Sequence, residues 1–82
     1  MAPEEKSPLT PALLELLQAC VDLDSTETKV LAENLYKAPA TIRTQFEHIL
    51  GILDVHNRHA AVSLAVRRKW VRFHIPVAES DV

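Results

Sequence analysis

The segment that most constrains the fold is residues 39–53, which read PATIRTQFEHILGIL. Pro39 suits the first turn of a helix, because a proline has no N–H to donate and its φ is already close to helical. Large apolar side chains then recur three or four residues apart, along one side of a helix; they are Ile42, Phe46, Ile49, Leu50 and Leu53. The other side carries polar side chains, among them Arg43 and Glu47. This segment therefore predicts an amphipathic helix that packs on a scaffold and presents a polar face.

The composition of the chain favours more helices around this one. Its 82 residues suffice for one small domain. A hydrophobic content of 48% with 24% charged residues is typical of a globular chain rather than a disordered one. The chain has one glycine and four aromatic residues, whereas a sheet needs more turn glycines and β-branched runs. We therefore expect an all-α fold.

The N-terminal half predicts two helices. Thr10 is followed by a proline and suits the N-cap of a helix that runs from about residue 11 to residue 21. Asp24, with Glu27 three residues later, can form a capping box for a second helix over about residues 25–35.

The C-terminal half predicts one more helix after the central one. Asp54 stands where the central helix ends in a left-handed residue, a conformation that Asp tolerates better than most residues. Asn57 can cap a last helix of about residues 58–70. That helix is apolar on more than one side, which is typical of a helix that packs on the core and on a second copy of the chain. The side chains expected at such a dimer interface are Val62, Leu64, Ala65 and Val66.

The termini and the single cysteine complete the expected organisation. We expect residues 1–8 to form a flexible lead-in, residues 9–75 the helical domain and residues 76–82 a solvated tail. Neither an apolar signal segment nor an apolar run of about 20 residues is present, so the sequence predicts a cytoplasmic chain without a membrane partner. Cys20 falls on an apolar helical face, and we expect it to be a buried, reduced thiol.

Four stretches of the chain follow one another in a familiar order. Residues 9–17, 31–35, 41–53 and 54–62 read LTPALLELL, LAENL, TIRTQFEHILGIL and DVHNRHAAV. Their apolar spacing and their T-x-R-T and N-R positions resemble the LuxR/GerE-type helix-turn-helix domain, the DNA-binding module of many bacterial response regulators and quorum-sensing regulators. The resemblance covers about residues 9–71, with roughly two extra residues between the first two helices.

The resemblance implies a four-helix domain that binds duplex DNA as a transcriptional regulator. Helices two and three would form the helix-turn-helix, helix three would enter the major groove, and helix four would join two copies into a homodimer. The side chains that would face bases are Thr41, Arg43, Thr44, Gln45 and Glu47. Those that would contact phosphates are Thr28, Lys29, Lys37, Asn57 and Arg58.

Some residues depart from the family pattern and keep an alternative open. The formal net charge is −2, and Glu47 adds a negative charge to the expected DNA-binding face. Gly51 and Ile52 replace a basic pair that often lies near the end of helix three. The alternative is a protein-interaction module on the same fold, in which these two residues and the apolar side of helix four bind a protein partner.

The sequence does not predict an enzyme. It has no Ser/His/Asp arrangement, glycine-rich phosphate loop or pair of carboxylates with catalytic spacing. Its histidines and its cysteine form no complete set of metal ligands by spacing. We therefore expect no cofactor, no metal and no small-molecule substrate.

Overall fold

The computed structural model describes residues 7–72, which form four α-helices and no strand. The helices are α1 (Pro11–Leu23), α2 (Thr28–Leu35), α3 (Pro39–Leu53) and α4 (Arg58–Arg67). The expected all-α fold is thereby confirmed for this part of the chain. Most of the predicted lead-in, the end of the predicted domain and the whole predicted tail lie outside the described residues. Within residues 7–72, every helix is too short or too polar to cross a membrane.

Two of the helices begin at the side-chain caps that the sequence predicts. The Oγ1 of Thr10 accepts a hydrogen bond from the N–H of Leu13 at 3.3 Å. The Oδ1 of Asn57 accepts one from the N–H of Ala60 at 2.8 Å. Each bond satisfies one of the N–H groups that the first turn of a helix leaves without a partner. By contrast, the N-cap residues of α2 and α3 make no side-chain capping bond.

A residue in the left-handed conformation follows each of the four helices, directly after α1, α2 and α3 and two positions after the end of α4. These residues have φ between 53° and 62°, and they are Asp24, Tyr36, Asp54 and Lys69. In each case the next residue donates its N–H to the carbonyl five residues earlier, at 2.9–3.1 Å. This is the hydrogen bond of a Schellman motif, whose left-handed position usually holds glycine. The predicted left-handed ending at Asp54 is confirmed.

The predicted capping box is wrong. Asp24 is the left-handed residue after α1, which extends to Leu23 and so runs two residues further than expected. An N-cap needs extended backbone, so Asp24 with a φ of 53° cannot cap α2. The N-cap of α2 is Glu27, whose N–H donates to the Oγ of Ser25 at 3.1 Å. The helix accordingly begins at Thr28 rather than near residue 25.

The last helix is also shorter than predicted. It ends at Arg67, because Lys69 is left-handed and the N–H of Trp70 turns back to the carbonyl of Ala65 at 2.9 Å. The chain is thus redirected by backbone hydrogen bonds before the expected end at about residue 70.

The chain after α4 is fastened to α1 by one glutamine. The amide of Gln18 makes two hydrogen bonds with the backbone of Arg72: its Nε2 donates to the carbonyl at 2.9 Å, and its Oε1 accepts from the N–H at 2.8 Å. Val71, just before this contact, is buried in the core. The last described residues therefore belong to the folded domain.

The core lies between α1 and α3, each of which packs against all the other helices. The largest fully buried side chains are Leu16, Leu17, Leu31, Ile42, Phe46 and Ile49. Full burial of each such side chain stabilises the fold by roughly 1.5–3 kcal/mol. Cys20 is also buried and free, as predicted. In contrast, α2 and α4 do not pack directly on each other.

Candidate nucleic-acid interface

The polar side of α3 is presented to solvent. Thr41, Arg43, Thr44 and Glu47 are exposed. The opposite side of the helix contributes three buried side chains to the core, Ile42, Phe46 and Ile49. Because burial alternates with the helical period, the core holds α3 in place while its polar side stays accessible. Four of the five side chains predicted to face bases are therefore displayed on one helix surface.

Gln45, the fifth predicted base-facing residue, is placed differently. Its side chain is half-buried, and its Oε1 is buried without a hydrogen-bond partner in the described part of the chain. A buried carbonyl oxygen without a donor is unfavourable. In this arrangement that oxygen cannot accept a hydrogen bond from a base.

An open cavity of about 450 Å³ lies beside Gln45, between the N-terminal end of α1 and α3. Its lining comes from both helices: Thr10, Ala12, Leu13, Ala40, Thr41, Thr44, Gln45 and His48. Arg43 and Glu47 do not line it. The polar side of α3 thus divides into one part that borders α1 and another that faces away. The sequence assigned His48 no functional role, because its place beside α1 depends on tertiary packing.

Three of the predicted phosphate contacts lie at the starts of helices or in the turn. Lys29 is exposed in the first turn of α2, and Lys37 is half-buried in the turn between α2 and α3. Asn57 is exposed, but its Oδ1 already caps α4. Both lysines therefore belong to the helix and turn that precede α3 in the chain.

The other two predicted phosphate contacts, Arg58 and Thr28, bind each other. Nη1 of Arg58 donates to the Oγ1 of Thr28 and to the carbonyl of Thr26, both at 2.9 Å. The guanidinium also lies over the ring of Phe46, with Cζ 4.2 Å from the ring centroid. Both polar side chains are half-buried and have partners inside the domain.

The excess of acidic over basic residues is found towards the two ends of the chain. Four of the eleven acidic residues lie outside residues 7–72, but just one of the nine basic residues does. The described part therefore carries a formal charge of +1. The overall charge of −2 thus includes a net charge of −3 from the residues before 7 and after 72.

The expected dimer residues on α4 differ in exposure. Val62 and Val66 are half-buried and pack partly against the core, and Leu64 is half-buried as well. Ala65 has no exposed surface. Its assignment to the dimer interface is therefore wrong, because the core of the same chain already covers it.

Comparison of the chain with models of protein families, with curated proteins and with solved structures found no match. Among residues 7–72, no three His, Cys, Asp or Glu side chains are grouped in a way that could hold a metal ion. What the geometry offers is a surface: the exposed polar side of α3, preceded in the chain by Lys29 in α2 and Lys37 in the turn.

Proposed function

We propose that the chain is a non-enzymatic DNA-binding domain that inserts α3 into the major groove, as LuxR/GerE-type transcriptional regulators do. The observation that supports this proposal is the order of α2, a turn of three residues and α3. The buried side of α3 is anchored in the core while its polar side is exposed. An α-helix with its side chains is about 10–12 Å across, which matches a major groove about 12 Å wide.

The exposed residues of α3 have the chemistry for reading bases. Arg43 can donate two hydrogen bonds to the O6 and N7 of a guanine. Thr41 and Thr44 can donate and accept, and Glu47 can accept from the N4 amino group of cytosine. Outside α3, Lys29 and Lys37 would neutralise phosphates on the flanking backbone.

A homodimer through α4 completes the proposal. Two copies related by a two-fold axis would read two half-sites about one turn of DNA apart, which implies a roughly palindromic target. After the exclusion of Ala65, the apolar side chains available for this contact are Val62, Leu64 and Val66.

The proposal is tested by selecting from a pool of random duplexes at increasing salt concentration and sequencing the retained DNA. We expect retention that falls steeply with salt, and enrichment of a palindromic motif. The absence of retention even at low salt would refute the proposal.

Arg43 and Lys29 provide distinct predictions for the same assay. Arg43→Ala should weaken binding to the selected site by about 1–3 kcal/mol and relax the preference at one base position, because it removes a base contact. Lys29→Ala should weaken binding to all sequences alike and lower the salt slope by about one. Arg67→Ala is the matched control, since Arg67 is also an exposed arginine but lies at the C-terminal end of α4 rather than on α3. If Arg43→Ala behaves like this control, α3 is not the reading helix.

One observation favours the alternative of a protein-interaction module. Ile52 near the end of α3 is 47% exposed, and the adjacent Gly51 is exposed too. A single exposed isoleucine is ordinary on a protein surface, but the adjacent Gly51 has no side chain to cover it, which leaves room for an apolar partner surface. This alternative predicts that Ile52→Ser abolishes binding of a protein partner, whereas the DNA-binding proposal predicts that this uncharged change leaves DNA affinity unchanged.

A further inference from the structure

α2 and α4 are linked through one side chain rather than by direct packing. The helix backbones of this pair are not in contact, whereas every other pair of helices packs directly. Arg58, the first residue of α4, crosses the gap and reaches Thr28, the first residue of α2. The N-terminal ends of the two helices are thus joined at this point.

The contacts of Arg58 suit a structural link. One nitrogen donates to an acceptor on each side of the α2 start, the carbonyl of Thr26 and the hydroxyl of Thr28. The Cζ of Arg58 lies over the ring of Phe46 in α3, which is itself fully buried. Hydrogen bonds from a charged donor are stronger than neutral ones, and a guanidinium over an aromatic ring adds a cation–π attraction. The side chain therefore connects α2, α3 and α4.

α2 has particular need of such a link. It has eight residues, and its N-cap Glu27 makes no side-chain capping bond. A helix this short has little stability of its own and depends on tertiary contacts. Its first turn also carries Lys29, one of the proposed phosphate contacts.

We propose that Arg58 is a positioning residue, which holds the N-terminal end of α2 against α3 and α4, and that it does not contact phosphate. Its consequence for DNA rests on the proposed function: Arg58 sets the position of Lys29 relative to the polar side of α3. Loss of Arg58 therefore weakens DNA binding through the placement of α2, not through the loss of one cation.

The first test needs no DNA and uses a double-mutant cycle of Arg58→Met and Thr28→Val, measured by urea unfolding. We expect Arg58→Met to raise the unfolding equilibrium constant about tenfold or more. Thr28→Val should have a much smaller effect when Arg58 is already absent, because the two residues share a hydrogen bond. Thr28→Ser is the matched control: it keeps the hydroxyl that accepts from Arg58, so its effect and that of Arg58→Met should simply add. Additive effects of Arg58→Met and Thr28→Val would overturn the proposal.

The second test measures the salt dependence of DNA binding. Arg58→Met should reduce the affinity for all sequences and should lower the salt slope by no more than Lys29→Ala does, which is about one, because the phosphate contact that it displaces is that of Lys29. Arg58→Lys keeps the charge but cannot form the same planar contact, so it should lose affinity as Arg58→Met does. A lower slope in Arg58→Met that Arg58→Lys restores would show that Arg58 contacts a phosphate.

The two tests separate this inference from the proposed function. If the wild-type chain binds no duplex, the proposed function fails, and the unfolding cycle still decides whether Arg58 joins the helices. If the chain binds DNA but the cycle is additive, the proposed function stands and the positioning role of Arg58 fails.

Discussion

Cys20 shows how the environment of one side chain can change its chemistry. The residue is 3% exposed, and its burial raises the pKa of the thiol from an ordinary value of 9.0 to about 11. The charge of Arg58 and a backbone hydrogen bond act in the opposite direction, but less strongly. The neutral thiol is therefore the form that the folded state favours.

This pKa predicts a loss of stability at high pH. In the unfolded chain the thiol loses its proton near pH 9, whereas in the folded chain it keeps the proton until about pH 11. Between these values the unfolded state binds fewer protons, so the free energy of unfolding falls by about 2–3 kcal/mol as the pH rises. Below pH 9 the contribution is fully present. Urea unfolding between pH 8 and pH 11 should show a steeper decline for the wild type than for Cys20→Ala, and parallel declines would contradict the prediction.

At the scale of helices, glycine is absent from the helix ends, where it is usually preferred, and present inside a helix, where it is usually avoided. The left-handed positions that end the helices hold no glycine, and Tyr36, at one of them, is 94% exposed. A left-handed residue other than glycine costs roughly 1–2 kcal/mol. The one glycine, Gly51, lies inside α3, where glycine is unfavourable. Tyr36 and Gly51 therefore each lower the stability of the fold, and both lie on α3 or in the turn before it.

Gly51→Ala should stabilise the domain. A Cβ added at Gly51 would meet no neighbouring side chain or other helix within 4 Å. Alanine is favoured over glycine in a helix by about 1 kcal/mol. For a domain of this size, that corresponds to a rise in Tm of about 4–8 °C, measured by circular dichroism. Tyr36→Gly is the informative partner, because glycine at a left-handed position should also stabilise the fold. If Gly51→Ala lowers the Tm, the glycine is required for a reason other than helix propensity.

At the scale of the whole molecule, the exposed side of α4 determines whether the proposed DNA-binding domain is a monomer or a homodimer. Ala61 and Ala65 of α4 are fully buried in the core, while Val62, Leu64 and Val66 remain half-buried. Val62 and Val66 lie four residues apart on one flank of α4 and Leu64 lies on the other flank, so a second copy in a two-fold dimer would cover one of these two flanks. The size of the DNA target depends on this contact.

Leu64→Glu should convert the proposed dimer into a monomer, because it places a charge in an apolar contact. Analytical ultracentrifugation should show a halved mass, and affinity for a palindromic duplex should fall more than affinity for a half-site. Ile52→Glu is the matched control, since it makes the same kind of change outside α4. Circular dichroism of both variants checks that they are folded. A wild-type chain that is monomeric at all concentrations would contradict the dimer.

Local sequence rules were sufficient for features that depend on a few adjacent residues. The caps at Thr10 and Asn57 and the left-handed Asp54 are such features, because each follows from backbone geometry within one helical turn. The all-α fold followed from the composition of the chain. The polar side of α3 also follows from the spacing of its apolar residues. The prediction for Asp24 failed where a local rule allowed two outcomes, since Asp can either begin a helix or end one in the left-handed conformation.

Only the tertiary structure decided which side chains of the candidate interface are available. Arg58 reads as an exposed cation in the sequence, yet its partners lie 30 and 32 residues away at Thr28 and Thr26. Ala65 and Gln45 likewise occupy helical positions that their spacing assigned to a surface, but packing against other helices buries Ala65 and the Oε1 of Gln45. The sequence by itself determined the helices and the apolar side of α3, because helical period and caps act over a few residues. Which polar side chains of the helices stay accessible was determined by packing between residues distant in sequence, and local sequence patterns carry no information about that packing.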